Sequence, residues 1–148
     1  MADPMELFRL YKDDIYRFAL SYTHSREDAE DICQMVFEQL LTHPSIQPGK
    51  EKAWLMRTCA NRCKNLLRSH WWSRTTPLED VHATPEQENN PVKEAVMALR
   101  PEYRAVVYLY YYEGNSTQEI GKLLGISQSA VSTRLHRARQ QLKQELEE

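Results

Sequence analysis

The stretch that decides the fold is STQEIGKLLGISQSAVSTRLHRARQQL, residues 116–142. It opens with a serine followed three residues later by a glutamate, a capping box that predicts a helix over 117–124. Gly125 supplies the turn, because glycine readily adopts the left-handed conformation that ends a helix. Ser127 then caps a longer helix over about 128–146. A short helix, a tight turn and a longer helix together predict a helix-turn-helix motif.

The longer helix has two chemically different sides. Four apolar residues share one side at helical spacing and predict the packing face: Val131, Leu135, Ala138 and Leu142. The other side carries hydroxyls, which permit close approach to a duplex, and arginines, which can pair with guanine or bind phosphate. We expect DNA contacts from these residues: Ser129, Ser132, Thr133, Arg134, His136 and Arg137. Gln140 and Arg139 complete this side, and the plain alternative is a solvated basic surface.

Charge is unevenly distributed along the 148 residues, although the formal net charge is only −2. Residues 50–76 are strongly basic, with Glu51 as the one acid, and residues 121–144 contain bases and no acid. The segments 1–41 and 77–102 are acidic. Two basic segments in an otherwise acidic chain favour a polyanion that contacts the protein at two places.

The first basic segment lies on a helix predicted over about 50–70. Its core side is formed by Leu55, Cys59, Cys63 and Leu66. The opposite side, with Trp54 at its margin, combines cations with carboxamides that can read base edges. The predicted DNA-binding residues here are Arg57, Asn61, Lys64, Asn65 and Arg68. Trp71 and Trp72 follow directly; stacking on unpaired bases and packing at the end of a small domain both remain open.

Two further helices are predicted before this one, over 5–22 and 25–40, and a proline- and glycine-containing break follows at 42–49. The second helix carries acids beside its apolar stripe: Asp28, Glu30, Asp31, Gln34 and Glu38. This side would repel DNA, so any partner that it binds should be a protein. A solvated surface is the alternative.

The patterns together predict an all-α fold of two small helical domains joined by a flexible linker. Residues 1–72 form the first domain and residues 91–148 the second. Residues 73–90 are polar, contain two prolines and show no apolar period, which is typical of a linker. Two more helices are expected between the linker and the helix-turn-helix, each starting at a proline, over about 91–99 and 101–113.

Several function classes are disfavoured by the sequence. Cys33, Cys59 and Cys63 have no metal-ligand or disulfide spacing, which predicts reduced, buried side chains. No phosphate-binding glycine motif is present, and no carboxylate cluster suits a nuclease, so we expect neither cofactor nor metal and no enzyme activity. The chain lacks a secretory signal and an apolar stretch of membrane-spanning length, which predicts a cytoplasmic protein without membrane insertion.

Several stretches resemble one known family. DAEDICQMVF at 28–37 and WLMRTCANRCKNLLR at 54–68 resemble region 2 of RNA polymerase sigma factors. LRPEYR at 99–104, EIGKLLG at 119–125 and VSTRLHRAR at 131–139 are similar to sigma region 4. The overall match is to the extracytoplasmic-function (ECF) group, which keeps only these two domains.

The resemblance implies a transcription initiation factor whose partners are core RNA polymerase, promoter DNA and an anti-sigma factor, and which is a monomer when free. Region 2 would recognise and open the minus-10 element, with Asn61 and Asn65 contacting an exposed non-template base that the loop 43–49 helps to hold. Region 4 would read the minus-35 element, approached by these residues: Ser132, Thr133, Arg134 and Arg137. Docking on the polymerase clamp would use the acidic helix through these residues: Asp28, Asp31, Gln34 and Glu38.

This chain departs from the family at Ser132, where lysine or arginine is common. A rival interpretation is a regulator that uses only the helix-turn-helix. It predicts tight, specific DNA binding without polymerase, and it leaves the first basic helix unexplained.

Overall fold

The computed structural model describes residues 3–42, 46–73 and 90–147. These residues form α-helices and one π-helical segment, without a β-strand among them, which confirms the all-α prediction. The chain divides into two compact units, Met1–Pro77 and Leu78–Glu148. The predicted linker falls almost entirely on residues 74–89, outside the described part, so its exact boundaries stay a prediction.

The N-terminal unit consists of three helices: α1 (Pro4–Thr23), α2 (Arg26–Thr42) and α3 (Glu51–Ser73). Each packs against the other two around a core that includes Ile15, Phe18 and Val36. Ser25 caps α2 as its position suggests, since its hydroxyl accepts a hydrogen bond from the backbone N–H of Asp28 at 3.2 Å.

The described part of the break between α2 and α3 is a tight turn that directly follows a buried residue, Ile46. The backbone N–H of Lys50 donates to the carbonyl of Gln47 at 3.0 Å, and Gly49 has φ +83°. Proline at the second position and a positive-φ glycine at the third are the pattern of a type II turn. Ile46 immediately before the turn is buried, which fixes this end of the loop against the core.

The C-terminal unit contains four α-helices and the π-helical segment among the described residues. They are α4 (Pro91–Met97), α5 (Pro101–Val107), the π segment (Tyr108–Tyr112), α6 (Thr117–Leu124) and α7 (Gln128–Glu147). Arg104 is buried and donates to the carbonyls of Met97 and Leu99, which satisfies backbone acceptors at the end of α4.

The predicted caps and turn of the helix-turn-helix are confirmed. Ser116 and Glu119 form both hydrogen bonds of the capping box. Gly125 adopts φ +72°, and the Ser127 hydroxyl accepts from the backbone N–H of Ala130 at 3.0 Å. The Ser116 backbone N–H, bonded to the Glu119 carboxylate at 2.8 Å, holds the pKa of Glu119 below its usual value.

This bond gives the helix-turn-helix a predicted acid dependence. The folded-state pKa of Glu119 is depressed, so its stabilisation is complete above the unfolded pKa of about 4.3 and is lost as pH falls through the folded pKa. We expect the thermal midpoint of the full chain to fall less on acidification in Glu119→Gln than in the wild type, as measured by circular dichroism. Equal acid dependence of the two proteins would contradict a role for this carboxylate.

The π segment is a feature that the periodicity did not predict. The sequence indicated one continuous α-helix over about 101–113. In the structure the α-helix ends at Val107, and the chain continues as a wider π-helical turn over Tyr108–Tyr112. The N–H of Glu113 bonds to the carbonyl of Tyr108 at 3.1 Å, five residues earlier. The rings of Tyr108 and Tyr112 stack with centroids 4.8 Å apart. A single π turn has little sequence signal, although such turns are frequent at functional sites.

Candidate nucleic-acid interface

The polar side of α3 is largely exposed between residues 57 and 68. Arg57, Asn61, Asn65 and Arg68 are exposed at helical spacing, and Lys64 is half-buried. The predicted core residues Leu55, Cys59 and Cys63 are fully buried, and Leu66 is half-buried. We call the set Arg57, Asn61, Lys64, Asn65 and Arg68 the α3 polar face. The two sides of the helix therefore separate as the sequence indicated.

Contacts on the buried side fix the rotation of α3. Arg62 donates to the side-chain oxygen of Gln39 on α2 at 3.1 Å, so this cation joins two helices and is not part of the α3 polar face. The Cys59 thiol donates to the carbonyl of Ile15 on α1 at 3.6 Å. These contacts tie α3 to both neighbours and keep its polar face turned outward.

Cys59 and Cys63 are buried core side chains as predicted, whereas Cys33 is only half-buried. A hydrogen bond with Cys63 and burial raise the pKa of Cys59, and burial raises the pKa of Cys33 to about 12. Thiols with raised pKa values stay protonated at neutral pH, and a protonated thiol is a poor nucleophile and metal ligand. Within the described residues, no group of His, Cys, Asp and Glu is arranged to hold a metal ion.

An open pocket lies beside the start of α3. Its volume is about 320 Å³ and its lining residues are Ile46, Gln47, Lys50, Ala53, Trp54 and Arg57. We call it the α3 pocket. This volume is at the small end of the range of small-molecule sites, about 300–1,000 Å³. The pocket joins an aromatic ring, two cations and a carboxamide, a combination suited to a base and its phosphate.

Sequence reasoning located this pocket only in part. The resemblance implied that the loop 43–49 helps to hold a base, and Arg57 was among the predicted DNA-binding residues. Trp54 was placed only at the margin of the helix, and Lys50 had no assigned role. The usable signals were Ile46, an apolar residue in a polar break, and the Pro48-Gly49 turn that directs the chain back to α3. Asn61 and Asn65 do not line the pocket; they continue the same face toward the C-terminus of α3. The side chains of Trp71 and Trp72 lie outside the described residues.

The second surface is the outer side of α7. The packing residues Val131, Leu135 and Ala138 are buried against the C-terminal unit, and Leu142 is half-buried. All but one of the predicted DNA-binding residues are exposed: Ser129, Ser132, Thr133, His136 and Arg137. Arg134 is half-buried. We call the predicted set, Ser129, Ser132, Thr133, Arg134, His136 and Arg137, the α7 reading side.

The acidic side of α2 also faces outward. Asp31, Gln34 and Glu38 are exposed, and Asp28 is half-buried where α2 begins. Two apolar side chains of the same helix, Met35 and Leu41, are 40% and 55% exposed. Mixed acidic and apolar exposure is more typical of a protein-binding surface than of a nucleic-acid contact.

Comparison with known proteins identifies the class and then the family. Residues 7–73 match the family model for sigma-70 region 2, and residues 90–142 match the model for sigma-70 region 4. The α3 polar face and the acidic side of α2 therefore lie in sigma-70 region 2, and the α7 reading side lies in sigma-70 region 4.

Individual relatives narrow the class. The chain is 30% identical to the ECF RNA polymerase sigma factor SigM of Bacillus subtilis, across 93% of this chain and 91% of the relative. It is 30% identical to SigL of Mycobacterium tuberculosis, across 90% and 83% of the two chains. Identity to SigE of Mycolicibacterium smegmatis is 34% across 93% of this chain, which spans 59% of that relative. The chain belongs to the ECF RNA polymerase sigma factors, which direct RNA polymerase to promoters and are not enzymes.

A solved structure supports the fold independently. The sigma factor RpoE of Bartonella quintana, crystallised with the anti-sigma factor NepR, aligns with a TM-score of 0.77 at 20% identity. The alignment covers 97% of this chain and 96% of the RpoE chain. Among the described residues, we find no helix with the length and apolarity needed to cross a bilayer.

Proposed function

We propose that the α7 reading side recognises the minus-35 element and that the α3 polar face and the α3 pocket recognise and open the minus-10 element. The observation that carries this proposal is that two helices in separate units each present an exposed cationic, hydrogen-bonding side. The α7 reading side would position the upstream duplex. The α3 polar face and the α3 pocket would act on the strand that becomes unpaired.

Strand opening would work by base capture. Unstacking a base from duplex DNA costs a few kcal/mol. Stacking on an aromatic ring such as Trp54, at about 1–3 kcal/mol per base, can offset most of this cost. Lys50 and Arg57 would hold the adjoining phosphates, and Asn61 and Asn65 would bond to base edges farther along α3. Binding energy alone then opens the strands, and no nucleotide hydrolysis is needed.

The remaining contacts would be with proteins. The acidic side of α2, through Asp28, Asp31, Gln34 and Glu38, would dock on the clamp of core polymerase. An anti-sigma factor, the kind of partner present in the RpoE structure, would hold the chain inactive in the cytoplasm. Because such an inhibitor must cover surfaces that polymerase uses, the two partners should exclude each other.

The deciding experiment is run-off transcription with bacterial core polymerase, with and without the full chain. The template pool should carry random sequence upstream of the start site, so that the selected promoters report the preferred elements. The proposal predicts transcripts only when the chain is present, and enrichment of two sequence blocks. Transcription without enrichment of either block would contradict sequence recognition by these surfaces.

Replacing Asn61 and Asn65 together by alanine is predicted to impair strand opening. Each lost side-chain hydrogen bond contributes roughly 1 kcal/mol, so we expect about a tenfold or larger drop in open complex. Permanganate reactivity of unpaired thymines measures opening. Polymerase binding and affinity for the upstream duplex serve as controls and should be unchanged, because both residues are exposed and distant in sequence from α2 and α7. Wild-type opening would refute the role assigned to the two asparagines.

A further inference from the structure

Arg139 on α7 is an exposed cation held by tyrosines of the π segment. Its Nε donates a hydrogen bond to the hydroxyl of Tyr111 at 2.6 Å. The guanidinium carbon lies 5.5 Å from the ring centroid of Tyr110 and 5.6 Å from that of Tyr111. These rings meet edge to face with centroids 4.9 Å apart. Three contacts therefore fix the direction of a side chain that is otherwise among the most flexible.

The arrangement is at the surface, not in the core. Arg139 is exposed and Tyr111 is 58% exposed, so the cluster buries little apolar area. A guanidinium has five N–H donors, and the bond to Tyr111 engages the Nε–H. Donors therefore remain for an oxygen ligand, and the planar group matches the geometry of phosphate.

Arg139 lies on a flank of the surface that would face DNA. At 100° per residue, Thr133 is near the middle of the α7 reading side, and Arg134 and Arg139 lie about 110° away on opposite flanks. A helix that enters the major groove has one phosphate backbone beside each flank. The two arginines are thus placed one toward each strand.

Ser132 occupies the same flank as Arg139. The two positions are within about 20° of each other around the helix and two turns, about 10 Å, apart along it. Ser132 has no charge, and Arg139 is the next cation along the flank.

We propose that Arg139, oriented by Tyr111 and Tyr110, binds a backbone phosphate of the upstream duplex and thereby positions α7 in the groove. The inference rests on the proposed reading of the minus-35 element by α7. It adds a phosphate contact whose geometry is set by the π segment, because that segment brings two consecutive tyrosines to one guanidinium.

The test uses holoenzyme reconstituted from the full chain and bacterial core polymerase, with a duplex selected by the wild-type holoenzyme and a scrambled duplex. Binding is measured across a salt series for Arg139→Ala, Tyr111→Phe and Arg139→Lys. Arg100→Ala is the matched control, since Arg100 is also exposed and lies 5.7 Å from the ring of Tyr103, but it is paired with Glu102 outside α7.

Loss of a phosphate contact lowers the magnitude of the slope of log affinity against log salt by about 1, and it weakens binding to both duplexes equally. We expect this for Arg139→Ala. Tyr111→Phe and Arg139→Lys keep the charge and should keep the slope while weakening affinity severalfold. Arg100→Ala should match the wild type. An unchanged slope for Arg139→Ala, even with a lowered thermal midpoint, would overturn the inference, because a structural role moves stability without moving the slope.

Failure of this inference can be separated from failure of the proposed function by Arg137→Ala. Suppose that Arg137→Ala lowers the affinity of the holoenzyme for the selected duplex more than for the scrambled one, while Arg139→Ala changes neither the salt slope nor the affinity. In that case only the phosphate contact is refuted. If wild-type holoenzyme does not distinguish the two duplexes, the minus-35 proposal fails and the inference fails with it.

Discussion

Asp31→Lys combined with Glu38→Lys is expected to lower the affinity for core polymerase by about 100-fold, since like-charge contacts at an interface cost several kcal/mol. Both side chains are exposed on α2, seven residues apart, and so lie on the same side of the helix two turns from each other. If this side docks on a basic partner surface, two attractions become two repulsions. Equilibrium binding to core polymerase by fluorescence anisotropy is the measurement.

The chain offers a closely matched control. Glu6 and Asp13 are also exposed, also seven residues apart, and lie on α1 in the same unit. Glu6→Lys with Asp13→Lys changes the net charge by the same amount and should bind polymerase nearly as the wild type does. Equal losses from the two pairs would indicate a general charge effect and refute specific docking by α2. Normal affinity of the α2 variant would refute it outright.

Gly121→Leu is expected to destabilise the C-terminal unit by about 3 kcal/mol, the upper part of the usual cost of overpacking. A Cβ atom at this position would lie 2.8 Å from the carbonyl oxygen of Ile126 and 3.5 Å from the backbone nitrogen of Gln128. The obstacle is the backbone of the turn, whose Ile126 N–H also donates a hydrogen bond to the carbonyl of Gly121 at 2.9 Å. A leucine must therefore separate α6 from the start of α7.

Gly121→Leu should also impair upstream DNA recognition, in addition to lowering stability. Moving the start of α7 displaces Ser129 and its neighbours from a duplex, so upstream recognition should be lost even where the chain remains folded. Lys122→Leu is the control, because it introduces the same side chain at an exposed neighbouring position of α6. Amide hydrogen exchange over α6 and α7 should accelerate in Gly121→Leu alone. Wild-type exchange and upstream binding would show that the turn tolerates the displacement.

The features predicted well from sequence depend on neighbours along the chain. The capping box, the left-handed Gly125 and the cap at Ser127 involve residues within a few positions of one another. The two sides of α3 and α7 follow from helical periodicity, which depends only on backbone geometry. The family resemblance then indicated what these surfaces contact, which periodicity cannot do.

The features that sequence reasoning missed depend on residues far apart in the chain. Predicting the hydrogen bond from Arg62 to Gln39 would have required knowing how α2 packs against α3. The tight fit at Gly121 required knowing where the backbone of the following turn lies. The same holds for Tyr111 in the π segment and Arg139, which meet although they are 28 positions apart.

Ile46 has a consequence for how promoter preference can change. It lines the α3 pocket and is also buried, with 6% of its surface exposed. One wall of the pocket is therefore part of the buried interior of the N-terminal unit. If the α3 pocket holds a nucleotide as proposed, substitutions in that interior should change which nucleotide it accepts, so variation in sequence preference need not map onto the residues that contact DNA.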